Sequence, residues 1–441
     1  MDISALAIKL LHFNRPGKLR RESLFKITNS RQPSEPRENR EATRPGDKMR
    51  EIYDEIILGA GASGLFAGAF ARGNFLILEK NARAGEKLRV CGGGKANFSN
   101  RDLSLHFYLS RPDAAFPKYC LERFGAPDIL ALFSQWQLPW EEREGGKYFL
   151  KTSATRLCDR LLRFVGEKIL YGRVVRKIIP GDPHIIETDR EIYKCRRLVI
   201  ASGSPARPKL GGDDGVWKIL RGLGHKVSDP EPALAPLYYP DENIFASLSG
   251  IGAKVKASWK DSLGRMTAIK GDALFTHKGL SGPAILTASL FAPNPCELEL
   301  DFLPDADLKK LVDSSERSTF RSLLRKLLPD RLVDILSADA IARKNIAELS
   351  RKQRNELIKR VASAKFSGLS TAGFDNAEIA RGGVSTDQIN PRTFESAIAP
   401  RIYIIGEAID VAGSLGGYNL HWAFASAKLC QERINAKLSK G

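Results

Sequence analysis

A short apolar run, Glu55–Leu58 (EIIL), leads straight into Gly59-Ala60-Gly61-Ala62-Ser63-Gly64, and small and apolar residues follow to Ala71. Strand, glycine turn and helix in that order leave few folds open. Gly59 permits the tight turn, Gly61 lets a ligand's phosphates approach the backbone, and Gly64 lets helix and strand pack closely. The free N–H groups at such a helix start, with roughly half an elementary charge of dipole behind them, face an anion. Phe75–Leu78 (FLIL) reads as a second, parallel strand, and Glu79 closes it 20 residues after Gly59. A carboxylate there accepts hydrogen bonds from ribose hydroxyls and repels a 2′-phosphate, which predicts FAD or NAD rather than NADP. A glycine-rich turn followed by a surface Glu is the structural alternative.

The alternation of strand and helix implies an α/β, doubly wound sheet. It returns at Leu198–Ala201 (LVIA) and at Ile402–Ile405 (IYII). Between about 236 and 379 the texture changes. AKVKASW and CELELDF alternate like an antiparallel sheet or barrel, and a helical part is expected over 305–362. There Phe320, Leu323, Leu324, Leu327 and Leu328 form a helical stripe that Pro329 ends. The chain is therefore expected to be one Rossmann-type domain in two parts, 50–235 and 380–441, split by an insert of barrel and helices. Residues 1–49 read as a disordered leader, because Arg31–Asp47 holds almost no apolar residue, or as sequence upstream of a true start at Met49.

Composition narrows the class. The 441 residues carry a net charge of +18. Residues 309–360 hold 14 Lys/Arg against 7 Asp/Glu, and residues 1–48 hold 11 against 6. Such a surplus attracts polyanions, but aromatics are not interleaved with it, so no base-stacking platform is apparent and nucleic acid is not the favoured partner. The longest apolar runs, such as Pro283–Pro293, fall short of the ~20 residues of a spanning helix. Six cysteines without a CxxC exclude a metal ribbon or disulfide scaffold and fit a reducing, cytoplasmic location.

A second glycine loop, Gly92-Gly93-Gly94-Lys95, is no P-loop, since Arg89 and Ala96 stand where Gly and Ser/Thr are required. With Lys87 and Asn97 it suits a backbone cradle for further phosphate and an isoalloxazine. Ala201 and Gly203 end a strand in small residues that allow close packing on a cofactor. Gly406, Glu407 and Asp410 follow the last strand, where an acid can hold ribityl hydroxyls. Gly416, Gly417 and Asn419 open a helix expected over Leu420–Cys430, aimed at the flavin edge, where fixed N–H dipoles would stabilise a reduced anionic flavin. With Ala62, Ser63 and Lys80 these residues complete the expected cofactor site, and FAD is preferred over NAD.

GAGASG with Glu79, GEKLRVCGGGKANFSN, EPALAPL, LFTHKGLSGPAIL, ARGGVSTDQINPRTFES and IIGEAIDVAGSLGGYNLHWAFASA together resemble the BaiN-like, aminoacetone-oxidase-like FAD flavoproteins over about residues 52–430. The resemblance implies an FAD domain closed by the C-terminal segment, with an inserted barrel and helices over the flavin. It also implies hydride transfer between flavin and a small organic substrate, such as an amino ketone or an unsaturated acid. Lys95-Ala96 stands where that family usually has Arg-Cys, His421 where it has Gln, and Cys91 where it often has Ser. His277, placed close to the flavin by the resemblance, reads either as a proton donor or acceptor or as a structural histidine, and Tyr418 and His421 either shape the substrate pocket or cap and pack the last helix. Cys91 reads either as a packing residue or as a thiol whose pKa is lowered. No second GxGxxG appears, so NAD(P)H would dock transiently, and dioxygen is the other electron partner. The rival readings are a flavin-containing RNA-binding or RNA-modifying protein and a non-catalytic flavin scaffold.

Overall fold

The computed structural model describes residues 51–240, 247–261 and 264–438. The expected leader, with the question of a start at Met49, lies outside the described residues. The chain opens with β1 (Ile52–Leu58), α1 (Ala62–Phe70) and β2 (Phe75–Leu78), then a short α2 (Glu86–Val90). Further on come β3 (Ile169–Leu170), β4 (Val175–Ile179), β5 (His184–Thr188) and β6 (Ile192–Ile200). These strands form one sheet in the order β3-β2-β1-β6-β5-β4. Its centre is parallel, with Leu58 beside Leu78 on one side and Ile200 on the other. Ile56, Ile57 and Leu58 are all buried, as expected of a parallel sheet covered on both faces.

The insert has its own core. Strands β7 (Leu237–Tyr238), β8 (Gly252–Lys260), β9 (Met266–Phe275) and β10 (Gly279–Ser281) precede helix α3 (Pro283–Phe291) and β11 (Cys296–Asp301). Helix α4 (Arg351–Ala362) leads into β12 (Ala364–Thr371), and the six strands close a barrel in the order β7-β10-β9-β8-β11-β12. Val255, Ala257 and Trp259 point inward and are buried, while Lys254, Lys256 and Lys260 alternate outward. Gly271 on β9 faces α3, and a Cβ there would stand 3.4 Å from Ala284 Cβ, at ordinary contact distance.

The helical stripe at 320–328 is shorter than its periodicity predicts. The helix covers Phe320–Leu324, and the chain then turns into a new helix at Asp330. Between them Lys326 N bonds to Leu323 O and Leu327 N and Leu328 N both bond to Leu324 O in a tight turn, and Pro329 caps the start of the next helix rather than ending this one.

The two crossings between the sheet domain and the insert are paired with each other. Val227–Ala233 runs antiparallel to Ile379–Val384, with Ala233 beside Ile379 and Val227 beside Val384. Ala233, Leu234, Leu290, Ile379 and Ala412 pack into a small cluster at this junction. The insert is thus held by a two-stranded ribbon and not by two loose linkers. The chain then returns to the sheet as β13 (Ile402–Ile404), parallel to the end of β6, and finishes in α5 (Tyr418–Leu438), which packs on α1.

Candidate active site

A cavity of about 850 Å³ opens over the carboxyl ends of β1, β2 and β6, where ligands bind in open α/β sheets. The volume lies within the range of about 300–1,000 Å³ usual for ligand pockets. Its first wall is the glycine turn, and the three glycines divide their work. A Cβ on Gly59 (φ +102°) would stand 2.6 Å from Ala201 O, and one on Gly64 would stand 1.8 Å from Gly59 O. Both positions need glycine for packing, and Gly64 does not line the cavity. Gly61 meets no protein atom within 4 Å and faces the cavity with Ala62 and Ser63. Glu79, also on the wall, accepts the N–H of Ala60 at 2.6 Å and of Asn81 at 2.8 Å, one on each oxygen. Each carboxylate oxygen keeps a lone pair for a ribose hydroxyl. Lys80 beside it pairs with Asp213.

The opposite wall is assembled from segments far apart in sequence. Gly92 and Gly93 adopt left-handed backbone (φ 57° and 64°), which packs Gly92 against Asn97 N and leaves Gly93 open to the cavity. The Asn97 amide, oriented to donate to the carbonyls of Tyr148 (3.2 Å) and Ser99 (3.3 Å), accepts the N–H of Gly417 at 3.2 Å. This ties the second glycine loop to the start of α5. Gly416 and Gly417, both at positive φ, and Asn419 line the cavity there. The Asn419 side chain is spent on its own turn, with 2.7 Å bonds to Gly413 N and O. Lys87 Nζ donates to Glu407 at 2.8 Å, and Ser204 Oγ donates to the same carboxylate at 2.7 Å.

The cradle fits a flavin dinucleotide. At Gly61, Gly93 and Gly203 the backbone is open, with no other protein atom within 4 Å of the place a Cβ would take. Ala201 lines the same wall, and the shielded Ser202 hydroxyl there has no hydrogen-bond partner. Open glycine backbone and an orphaned buried hydroxyl are what a bound polar ligand would satisfy.

Other expected site residues stand elsewhere. His421 is fully buried, with Nδ1 2.9 Å from Ser99 Oγ and Nε2 2.9 Å from Phe124 O. Burial lowers its pKa to about 4. A neutral imidazole whose two nitrogens are both engaged is a structural tie, not a pocket group. Tyr418 is buried and stacked on Phe107 at 4.6 Å between ring centroids, outside the lining. His277 lies exposed on the turn between β9 and β10, away from the cavity. Asp410 is buried and holds Arg111, Ser228 Oγ (2.9 Å) and Gly382 N (3.2 Å), so it fastens the junction and does not reach a cofactor. Lys95 is exposed, and neither it nor Gly94 lines the cavity. Gly406 packs against Ser63, where a Cβ would stand 2.7 Å from its Oγ.

The cavity also takes residues that no motif announced. Arg173 to Arg176 come from the turn into β4, and Arg207 pairs with Glu378 at 2.5 Å. Leu234, Ile379 and Leu415 give the cavity an apolar margin at the junction with the insert. Cys91 lines it too. Burial pushes its thiol up to about 12, with Glu378 adding and Lys87 opposing. The helix termini therefore do not lower its pKa, contrary to one of the two expectations for this residue.

The family described as HI0933-like protein Rossmann domain matches residues 53–433. A ribosomal RNA dihydrouridine synthase of Haemophilus influenzae is 30% identical over 88% of this chain and 100% of its own length. A 3-dehydro-bile acid delta(4,6)-reductase of Clostridium scindens is 30% identical over 85% of this chain and 97% of its own length. Among solved structures, a 3-ketosteroid-delta4-(5alpha)-dehydrogenase of Rhodococcus jostii RHA1 is 13% identical with a TM-score of 0.46, covering 88% of this chain and 99% of that one.

Proposed function

This chain belongs to the HI0933-like Rossmann family and is an FAD-dependent oxidoreductase, and from that premise we propose that it reduces a carbon–carbon double bond conjugated with a carbonyl. The observation that carries the reading is the continuity of one cavity, from the open Gly61 backbone to the apolar margin of Leu234, Ile379 and Leu415. A substrate entering at that margin shares its space with the cofactor and meets no competing metal cluster among the described residues. The flavin, when bound, supplies hydride chemistry; the chain binds, orients and excludes water. Backbone N–H groups of Gly61 and the start of α1 would hold the phosphates, Glu79 would hold the ribose, and the Gly416–Gly417 turn would turn the start of α5 toward the flavin, all of them lying on or next to the one cavity.

The names of the two kinds of relative support this class of substrate. Dihydrouridine is uridine with its ring double bond saturated, and that bond is conjugated with a carbonyl. Double bonds adjoining a 3-keto group are conjugated in the same way. A panel of cyclic enones with NADH or NADPH as reductant tests the reading. Gain of two hydrogens at the double bond, seen by mass spectrometry, is expected. Turnover of amino ketones alone, with every enone returned unchanged, would contradict it.

A second reading keeps the chemistry and places the double bond in a uracil of RNA. The charge surplus over 309–360 favours it, since Lys309, Arg343, Lys344, Arg351 and Lys352 are exposed there. Binding of unmodified RNA that weakens steeply with salt, followed by mass gain in its uridines, is the expected result.

A further inference from the structure

The helical part of the insert sorts its charges into two groups. Residues 309–360 hold seven acids. Five of them take arginines: Asp330 and Asp334 hold Arg321 and Arg325, Asp313 holds Arg354, and Asp339 and Glu356 hold the buried Arg360. The other ten Lys and Arg of the stretch are exposed and meet no acid among the described residues. Most of them stand on segments that lie side by side. Lys309 and Lys310 are on a short helix, Leu308–Asp313, and Arg317 follows it. That run is bonded to the one carrying Arg343 and Lys344, with Ile346 N donating to Ser318 O at 2.9 Å and Ala347 N to Glu316 O at 3.2 Å. Arg351 and Lys352 open α4, whose Arg354 meets Asp313 at the end of the short helix at 3.7 Å.

Two features set this edge apart from an ordinary solvated face. Arg351 and Lys352 occupy the first two positions of α4, whose first turn holds no acid. Cations there face the positive end of the helix dipole, which disfavours them. Charge is kept at this place against the local interest of the helix, as happens where a site has another task. The second feature is what the edge lacks. Residues 308–319 and 343–352 include no aromatic residue, and none of the large apolar side chains left exposed on the chain. With no ring to stack on a base and no apolar group to enter a lipid layer, the edge matches phosphate in water.

We propose that this edge is the docking surface for the phosphate backbone of a double-stranded stem of RNA. The assignment rests on the second reading above, in which the reduced double bond belongs to a uracil. Recognition is then divided between two parts of the chain. The cavity takes the base, and the insert, joined to the sheet domain by the paired ribbon, holds a stem of the same molecule through charge. A stem suits the edge better than a loose strand does. Its phosphates lie in two close rows that cations on adjoining segments can meet together, whereas a single strand is held largely by stacking, which this edge does not offer.

Fluorescence anisotropy of a fluorescein-labelled RNA hairpin, titrated with the FAD-loaded full chain between about 50 and about 200 mM salt, tests the surface. Two triple variants remove equal charge from two places. One carries Lys344→Gln, Arg351→Gln and Lys352→Gln on the edge, and the other Lys254→Gln, Lys256→Gln and Lys260→Gln on the outer face of β8. The edge variant is expected to weaken binding about tenfold or more at the lower salt. It should also flatten the slope of log Kd against log salt by about two to three. Its Tm is expected to be no lower than that of the wild type, because two of its changes relieve the start of α4. The barrel variant is expected to shift Kd by less than about twofold, its charges being screened from the stem. Wild-type affinity in the edge variant, or equal weakening by both variants, would overturn the surface and leave the RNA reading standing. Displacement of the hairpin by single-stranded oligouridylate or by phosphatidylserine vesicles as readily, phosphate for phosphate, as by unlabelled hairpin would overturn the assignment to a stem. A wild type that leaves the hairpin unbound at the lower salt would overturn the surface and the RNA reading together.

Discussion

Lys87 and Glu407, 320 residues apart in the chain, meet at 2.8 Å on the wall of the cofactor cavity. Lys87 lies on a helix of the first segment of the sheet domain, and Glu407 follows the strand with which the last segment returns. The cavity therefore exists only once both ends of the polypeptide have docked. Ser204, donating to the same carboxylate at 2.7 Å, adds a third segment.

The pair is about a third exposed at Lys87 and less at Glu407, so its direct coupling should be modest. A double-mutant cycle of Lys87→Met and Glu407→Gln, read by chemical denaturation without FAD, is expected to give about 1 kcal/mol. A coupling of zero would mean the two ends close through packing alone.

The glycine turn gives opposite outcomes at two neighbouring positions. Gly64→Ala drives a Cβ to 1.8 Å from Gly59 O and should destabilise the fold by about 1–3 kcal/mol or more. Gly61→Ala meets no protein atom within 4 Å, so the apoprotein should keep its Tm while FAD retention falls about tenfold. Thermal unfolding and FAD titration of both variants distinguish a packing glycine from a ligand-facing one.

Glu55 gives a pH signature. It is buried on β1, where it accepts from Gln431 Nε2, and burial raises its carboxyl from 4.5 to about 7. Between those values the folded chain holds a proton that the unfolded chain lacks. The stabilisation is thus full below the unfolded value and is lost as pH rises through about 7. Glu55→Gln keeps the shape and a donor that Gln431 Oε1, unpartnered as it stands, can accept. The variant should match the wild type near pH 5 and exceed it near pH 8, by on the order of 2 kcal/mol. Denaturation midpoints at the two pH values check the sign.

What could be read ahead of the structure was local. Gly59, Gly61 and Gly64 declare themselves because turn, approach and packing all act within six residues. Glu79 follows because strand length fixes its distance from the turn. His421, Tyr418 and Asp410 stand off the cavity for a common reason: each belongs to a segment that reaches it but points into the protein, His421 and Tyr418 in the packing role the sequence also allowed. Side-chain direction there is set by partners such as Ser99, Phe107 and Arg111, some 300 residues away. His277 stands off the cavity for another reason, since nothing in Thr276–Gly279 says which side of the barrel faces the sheet domain. Arg207 and Glu378 carry no motif, and contacts between distant segments bring them together: the Val227–Ala233 and Ile379–Val384 ribbon, and the bond from Arg207 N to Phe374 O.

The central claim is that Glu79 near the beginning and Glu407 near the end serve one FAD. The dissociation constant for FAD in the wild type, Glu79→Gln, Glu407→Gln and the double variant tests it most directly. Each single change is expected to raise the constant about tenfold or more, as for a lost hydrogen bond to a charged group. The double variant is expected to multiply the two effects, because the sites are separate points on the same ligand. A constant unchanged by either single substitution would contradict the account.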